Sequence, residues 1–226
     1  MTKWIGGHGT GLGGIIVDGS SFNWGAGKHP QFDEPDNSYG GLRWGHDLPE
    51  SLAPLAFKLK CLTGPLRNLG GCMSPDNAWI LLQGVETLSL RMERHCENSL
   101  KVAQYLDQHE KVSWVRYPGL HEKDPLNEKY LKGKGGGIVV FGIKSDNNAA
   151  KAGQTLIDSF QMFSHVANVG DCKSLCIHPA STTHSQLSPE QQMAAGVKPE
   201  LVRLSVGIES IEDIIADLEQ ALAKIS

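Results

Sequence analysis

At 226 residues, 40% of them hydrophobic and 20% charged, the chain is long enough for one large domain or two modest ones and has the composition of a folded globular protein. A formal net charge of −4 with no Lys/Arg block removes the electrostatic basis for a nucleic-acid or anionic-membrane partner, so small molecules are the expected ligands. No apolar run reaches the roughly 20 residues that span a bilayer, no basic-then-apolar signal layout opens the chain, and the expected location is the cytoplasm.

Six glycines between Lys3 and Gly14 are too many for a helix and suit backbone lying close against something. Residues 13–18, Gly-Gly-Ile-Ile-Val-Asp, read as a short buried strand. Residues 19–49 form a long irregular stretch whose aromatics Phe22, Trp24, Phe32, Tyr39 and Trp44 need burial, and it is expected to drape over a subunit or domain surface. Residues 51–69 are helical in pattern, and Ser74-Pro75-Asp76 is a helix start signal. Residues 77–109 carry apolar positions at Leu81, Val85, Leu88, Met92, Cys96, Leu100, Ala103 and Leu106, a helix or kinked pair with Gly84 as the bend. Arg91, Arg94 and His95 read as surface charges beside that stripe. A domain boundary falls near Leu88. Beyond it, strands are expected at 112–117, 137–143, 162–167 and 201–206, with helices at 148–160 and 208–225, which together make an open α/β sheet covered by helices.

In the last strand Val202, Leu204 and Val206 point to one face and Arg203 and Ser205 to the other. Arg203 is then either an exposed edge residue or a guanidinium presented to a cleft, where its planar fork can grip a carboxylate. Asn168 either helps a tight turn before Gly170 or belongs to a site, and the two are compatible. His165, His178 and His184 read as partly buried hydrogen-bonding histidines. The five cysteines, Cys61, Cys72, Cys96, Cys172 and Cys176, leave one unpaired in any disulfide scheme and read as reduced thiols. Cys172 and Cys176 have no second Cys/His pair at zinc-site spacing, so no metal is expected.

Three ordered motifs carry a family resemblance. Thr2-Lys3-Trp4-Ile5-Gly6-Gly7-His8-Gly9 resembles the cofactor attachment motif of the pyridoxal-phosphate-dependent transsulfuration enzymes of cysteine and methionine metabolism. Arg203-Leu204-Ser205-Val206-Gly207-Ile208-Glu209 resembles their C-terminal motif, and Asn168-Val169-Gly170-Asp171 stands where many relatives have Ser-Leu-Gly-Asp. The resemblance implies that Lys3 binds pyridoxal 5'-phosphate as a Schiff base and moves the substrate's α-proton. It implies that Thr2 helps bind the cofactor phosphate, and that Arg203 with Asn168 holds the substrate carboxylate. His8 would position the glycine loop or contact the cofactor. The implied fold is the C-terminal part of an aminotransferase-like (type I) fold. Residues 1–88 would be the remnant of the large cofactor-binding domain and residues 89–226 a small α/β domain. Upstream elements that cradle the phosphate, stack on the pyridoxal ring and pair with its nitrogen fall outside the chain. Asn168 and the 19–49 insertion are similar to the branch that joins O-acetylhomoserine and sulfide into homocysteine and acetate in methionine biosynthesis. The alternatives are a relative acting on O-acetylserine, O-succinylhomoserine or methionine, and a non-catalytic fragment. The family also implies a homo-oligomer, dimer or tetramer.

Overall fold

A computed structural model describes residues 1–121, 125–145 and 148–225. Its contacts divide the chain into two compact units, Gly14–Pro75 and Met1–Gly13 joined with Asp76–Ser226.

The Gly14–Pro75 unit holds short helices α1 (Pro30–Asp33), α2 (Ala56–Cys61) and α3 (Arg67–Leu69), the last two linked by a π turn at Leu62–Leu66. Its core is aromatic. Phe32, Trp44 and Ala56 are buried, and the Trp24 ring stacks on Phe32 at 4.5 Å and on Phe57 at 4.8 Å. The aromatics of the irregular stretch thus find their burial within this unit, with Phe22 left half exposed. Lys60 (2.6 Å) and the Trp44 indole (2.9 Å) donate to Asp36 and hold its carboxyl down at about 2. The run expected as a buried strand at 13–18 is not one: Ile15, Ile16 and Val17 are 67%, 77% and 83% exposed. β-branched residues favour extended backbone, but a strand also needs a neighbour to pair with, and none of the described strands pairs this run.

Pro75 opens α4 (Pro75–Glu86), whose remaining residues belong to the other unit, and α5 (Leu88–Asp107) follows after a break at Thr87. Then come β1 (Val112–Arg116), α6 (Pro125–Leu131), β2 (Ile138–Ile143), α7 (Ala149–Ser159), β3 (Ser164–His165), β4 (Leu175–Ile177), α8 (Pro189–Ala194), β5 (Leu201–Ser205) and α9 (Ile211–Leu222). Local signals start several of these: Asn148 accepts from Lys151 N at 3.0 Å to cap α7, and Ser188 with Gln191 forms a capping box on α8. The described strands form one mixed five-stranded sheet in the order β1-β2-β5-β4-β3, antiparallel except for β3 with β4.

One face of that sheet carries the core. Val139 and Phe141 of β2 and Val202 and Leu204 of β5 are fully buried with Leu106 of α5, Leu156 of α7, and Ile214, Leu218 and Leu222 of α9. Each such side chain contributes roughly 1.5–3 kcal/mol by leaving water. Buried Asp217 on α9 accepts from the amides of Gln161 and Met162 (both 2.9 Å) and Phe163 (3.1 Å), fixing the chain as it leaves α7 for β3. β4 was not foreseen, and β3 is shorter than the expected strand at 162–167.

Two expectations for the long helical stretch are corrected. The buried face of α5 is Arg91, His95, Asn98, Ser99, Val102, Ala103 and Leu106, while Val85 and Leu100 of the expected stripe are exposed. Arg94 alone of the three basic residues lies on the surface, beside Glu97. Gly84 is not a bend but an interior residue of α4, where a Cβ would come within 2.2 Å of Ile5 O. Close approach of another backbone, not flexibility, requires glycine there.

Candidate active site

The glycine-rich opening folds into a compact turn in which Gly6 N donates to Met1 O (2.9 Å) and Gly7 N to Lys3 O (2.7 Å). Much of the hold on this turn is through its main chain. Arg91, 5% exposed, donates from Nη1 to Trp4 O (2.7 Å), from Nη2 to Ile5 O (2.9 Å) and Gly84 O (2.6 Å), and from Nε to Thr87 Oγ1 (3.2 Å). One turn further along α5, the His95 ring meets Trp4 edge-on at 5.1 Å, and His95 Nδ1 lies 2.7 Å from Val206 O. A carbonyl only accepts, so Nδ1 carries the proton; burial pushes the imidazole pKa down and favours this neutral form. Asn98 Nδ2 then donates to Gly207 O (3.1 Å) and Glu209 O (3.0 Å). Three polar side chains at i, i+4 and i+7 thus tie α5 to the lysine turn and to the chain leaving β5.

β5 is a central strand, and Arg203 pairs in register with Val140 on one side and Ile177 on the other. The edge reading of Arg203 is therefore excluded. Off the core face, Arg203 and Ser205 hold a turn built from residues 166–171: Arg203 Nη2 donates to Asn168 O (3.0 Å), and Gly170 N donates to Ser205 Oγ (3.0 Å). The exposed Lys3 ammonium donates to Asn168 Oδ1. Arg203 Nε is buried with no hydrogen-bond partner among the described residues, and burial lowers the guanidinium pKa. An amine, an amide and a guanidinium with an unsatisfied donor stand in one connected chain, a set able to hold an electrophile at the amine and an anion at the guanidinium.

Lys3, Asn168 and Arg203, named from sequence, are brought together. Thr2 is placed apart: its amide and its hydroxyl both donate to Gly13 O at 3.1 Å, and the hydroxyl accepts from Gly13 N at 2.9 Å. His8 Nδ1 lies 2.8 Å from Gly6 O and its Nε2 3.6 Å from Cys172 Sγ, so it braces the glycine turn. His178 is buried between Ser181 Oγ and Pro199 O, both at 2.8 Å, whereas His165 is exposed. All five cysteines are free thiols. Sequence reasoning missed Arg91, His95 and Asn98. Their signal was present: positions 91, 95 and 98 continue at helical spacing into Val102 and Leu106, one stripe that is polar at one end and apolar at the other.

Residues 1–223 match the family described as Cys/Met metabolism PLP-dependent enzyme. The chain is 53% identical over 232 residues to the O-acetyl-L-homoserine sulfhydrylase of Leptospira meyeri, covering 100% of this chain and 52% of that protein. It is 50% identical over 225 residues to O-acetyl-L-homoserine sulfhydrylase 1 of Thermus thermophilus, covering 99% of this chain and 52% of the relative. A crystal structure of a putative O-acetylhomoserine (thiol)-lyase from Campylobacter jejuni, which carries N'-pyridoxyl-lysine-5'-monophosphate, superposes with a TM-score of 0.80 at 38% identity, covering 98% of this chain and 52% of that one. The chain thus spans about half the length of the proteins it matches.

Proposed function

The chain belongs to the Cys/Met metabolism PLP-dependent enzyme family, and on that premise we propose that the intact protein replaces the acetate on the γ-carbon of O-acetylhomoserine by sulfide, giving homocysteine and acetate. The observation that carries this reading is the hydrogen-bonded chain from the Lys3 amine through Asn168 to Arg203. The donor set fits the cofactor: Lys3 is an exposed primary amine whose partner is a neutral amide rather than a carboxylate, the chemistry an aldehyde requires. Thr2 is the proposed phosphate contact, through the hydroxyl and the amide that here donate to Gly13 O. The chemistry that bound pyridoxal 5'-phosphate supplies is an electron sink for negative charge at the substrate's α-carbon.

Within that scheme Lys3 holds the cofactor and then, as a free amine, moves the α-proton. Arg203 Nε and its fork bind the substrate carboxylate and so orient the α-carbon toward the amine. Asn168 steers the amine through Oδ1, while its carbonyl steadies Arg203. In the same proposal, residues 1–88 belong to the cofactor-binding domain and 89–226 to the small domain, and the protein works in the cytoplasm as a homo-oligomer. Among the described residues no helix is long and apolar enough to cross a membrane.

The test is borohydride reduction of the intact protein loaded with pyridoxal phosphate, followed by peptide mapping and an assay of homocysteine formation. Label on Lys3, loss of turnover in Lys3→Ala, and a raised KM with retained cofactor absorbance in Arg203→Ala are expected. Unchanged turnover in Lys3→Ala would refute the reading.

A further inference from the structure

Arg91 is a buried cation whose hydrogen-bond partners are all neutral: the carbonyls of Trp4, Ile5 and Gly84 and the hydroxyl of Thr87. Among the described residues no carboxylate lies within ion-pair distance of it. A buried guanidinium without a counter-charge is a costly way to fill space, and an apolar side chain of similar volume would serve packing better. Its placement gives the reason. Trp4 and Ile5 are the two residues directly after Lys3, and the Lys3 carbonyl is itself taken by Gly7 N at 2.7 Å.

Glycine is required where the lysine turn meets Arg91 and where it meets α4. A Cβ at Gly7, whose φ is +75°, would come 2.4 Å from Arg91 Nη1, and a Cβ at Gly84 would come 2.2 Å from Ile5 O. The planar fork donates to three carbonyls and a hydroxyl at once from fixed positions, one more partner than the three donors of an ammonium can serve. Without it, the carbonyls of Trp4 and Ile5 lose their donors inside the protein.

We propose that Arg91 is a positioning residue for Lys3, fixing the lysine turn so that the amine meets Asn168 and, through it, the guanidinium of Arg203. The proposal rests on the reading of Lys3 as the cofactor-binding amine and goes beyond it by assigning the group that aims that amine. Arg91 acts through the main-chain carbonyls of the turn rather than through the Lys3 side chain. Its loss therefore displaces the amine without removing the carboxylate anchor.

The experiment compares Arg91→Lys, Arg91→Ala and the milder Thr87→Val, which removes only the Nε partner, in the intact protein. It uses amide hydrogen exchange and steady-state kinetics. Exchange at Gly6 and Gly7 is expected to speed up by about tenfold or more in both Arg91 variants, while amides of β5 keep their protection. Because a misplacement of about 1 Å in a reacting group can cost about 100-fold, kcat should fall by that order with KM for O-acetylhomoserine nearly unchanged. Added guanidinium ion should restore part of kcat in Arg91→Ala. Wild-type exchange at Gly6 and Gly7 in Arg91→Lys, with kcat retained, would overturn the proposal. Faster exchange across all of β5 would also overturn it, because Arg91 would then serve general stability. If the Arg91 variants do not fold, Thr87→Val decides: faster exchange confined to the lysine turn supports the proposal, and unchanged exchange and kcat refute it. Failure of Lys3 to take the borohydride label in the wild-type protein would sink the functional reading alone, since exchange at Gly6 and Gly7 still measures the hold of Arg91 on the turn.

Discussion

Replacing Gly84 by alanine sets two physical rules against each other. Inside a helix such as α4 the change ordinarily favours folding by about 1 kcal/mol. Here the new Cβ would lie 2.2 Å from Ile5 O, 2.8 Å from Gly6 O and 2.9 Å from Gly6 Cα, all backbone atoms with no flexible end to swing aside. Close carbon–oxygen contacts are about 3.3 Å, so the lysine turn must retreat by roughly 1 Å. Overpacking of this kind costs about 1–3 kcal/mol. The retreat also stretches the bond from Arg91 Nη2 to Ile5 O, and a hydrogen bond to a charged group is worth about 1.5–3 kcal/mol. The net expectation is a loss of about 2–4 kcal/mol, which lowers Tm by about 2–4 °C in an intact protein about twice as long as this chain. Thermal scans of the intact variant and wild type at one scan rate measure it, with exchange at Gly6 and Gly7 locating the damage. A Tm equal to or above wild type would mean that helix propensity wins, and the close approach of the turn to α4 would be refuted.

Two further predictions concern groups outside the site. Asp217→Ala strips the acceptors from the amides of Gln161, Met162 and Phe163 and should cost about 3–5 kcal/mol, read by thermal denaturation; a loss below 1 kcal/mol would show that the carboxylate is dispensable. Asp36, held at about 2 chiefly by Lys60, sits below the unfolded aspartate value of about 3.9. Its stabilising contribution is therefore present above that value and lost as pH falls from about 4 to about 2. Exchange at Ser38 N, 3.0 Å from Asp36 Oδ1, should rise through that window in wild type, and Asp36→Asn should remove the pH dependence; an unchanged profile in Asp36→Asn would reject the assignment.

Elements with their own local signals were legible. α7 follows a capping asparagine, β2 is a run of β-branched and aromatic residues, and α9 repeats isoleucine and leucine at helical spacing. The missing elements depended on distant partners. β4 is three residues long and exists because β5 and β3 lie on either side of it, while the apolar run at 14–18 has every local mark of a strand and no described neighbour to pair with. The site divides the same way. Lys3, Asn168 and Arg203 were visible because each sits in a motif. Arg91 was misread because its partners, Trp4 and Ile5, lie 87 and 86 residues away and present only main-chain oxygen, which no hydrophobic pattern records.

That difference has a physical root in the glycine-rich turn itself. The glycines of the turn bring no side chain to bury and give up more conformational freedom on ordering than any other residue, so the ring contact of Trp4 with His95 leaves much of the turn for main-chain hydrogen bonds to fix. The carbonyls of Trp4 and Ile5 need donors that their own turn does not supply. α5 provides them from a stripe whose other end, Val102 and Leu106, is locked in the sheet core. The apolar half of the helix anchors the polar half, and the polar half sets the position of Lys3. On this argument the aim of the amine depends on the rigidity of α5. An alanine scan along the stripe should therefore disturb exchange at Gly6 and Gly7 most at Arg91, less at His95 and least at Leu106, even though Leu106→Ala costs the most global stability. A scan in which damage to the turn simply tracked global stability would show that the helix transmits no local order to the site.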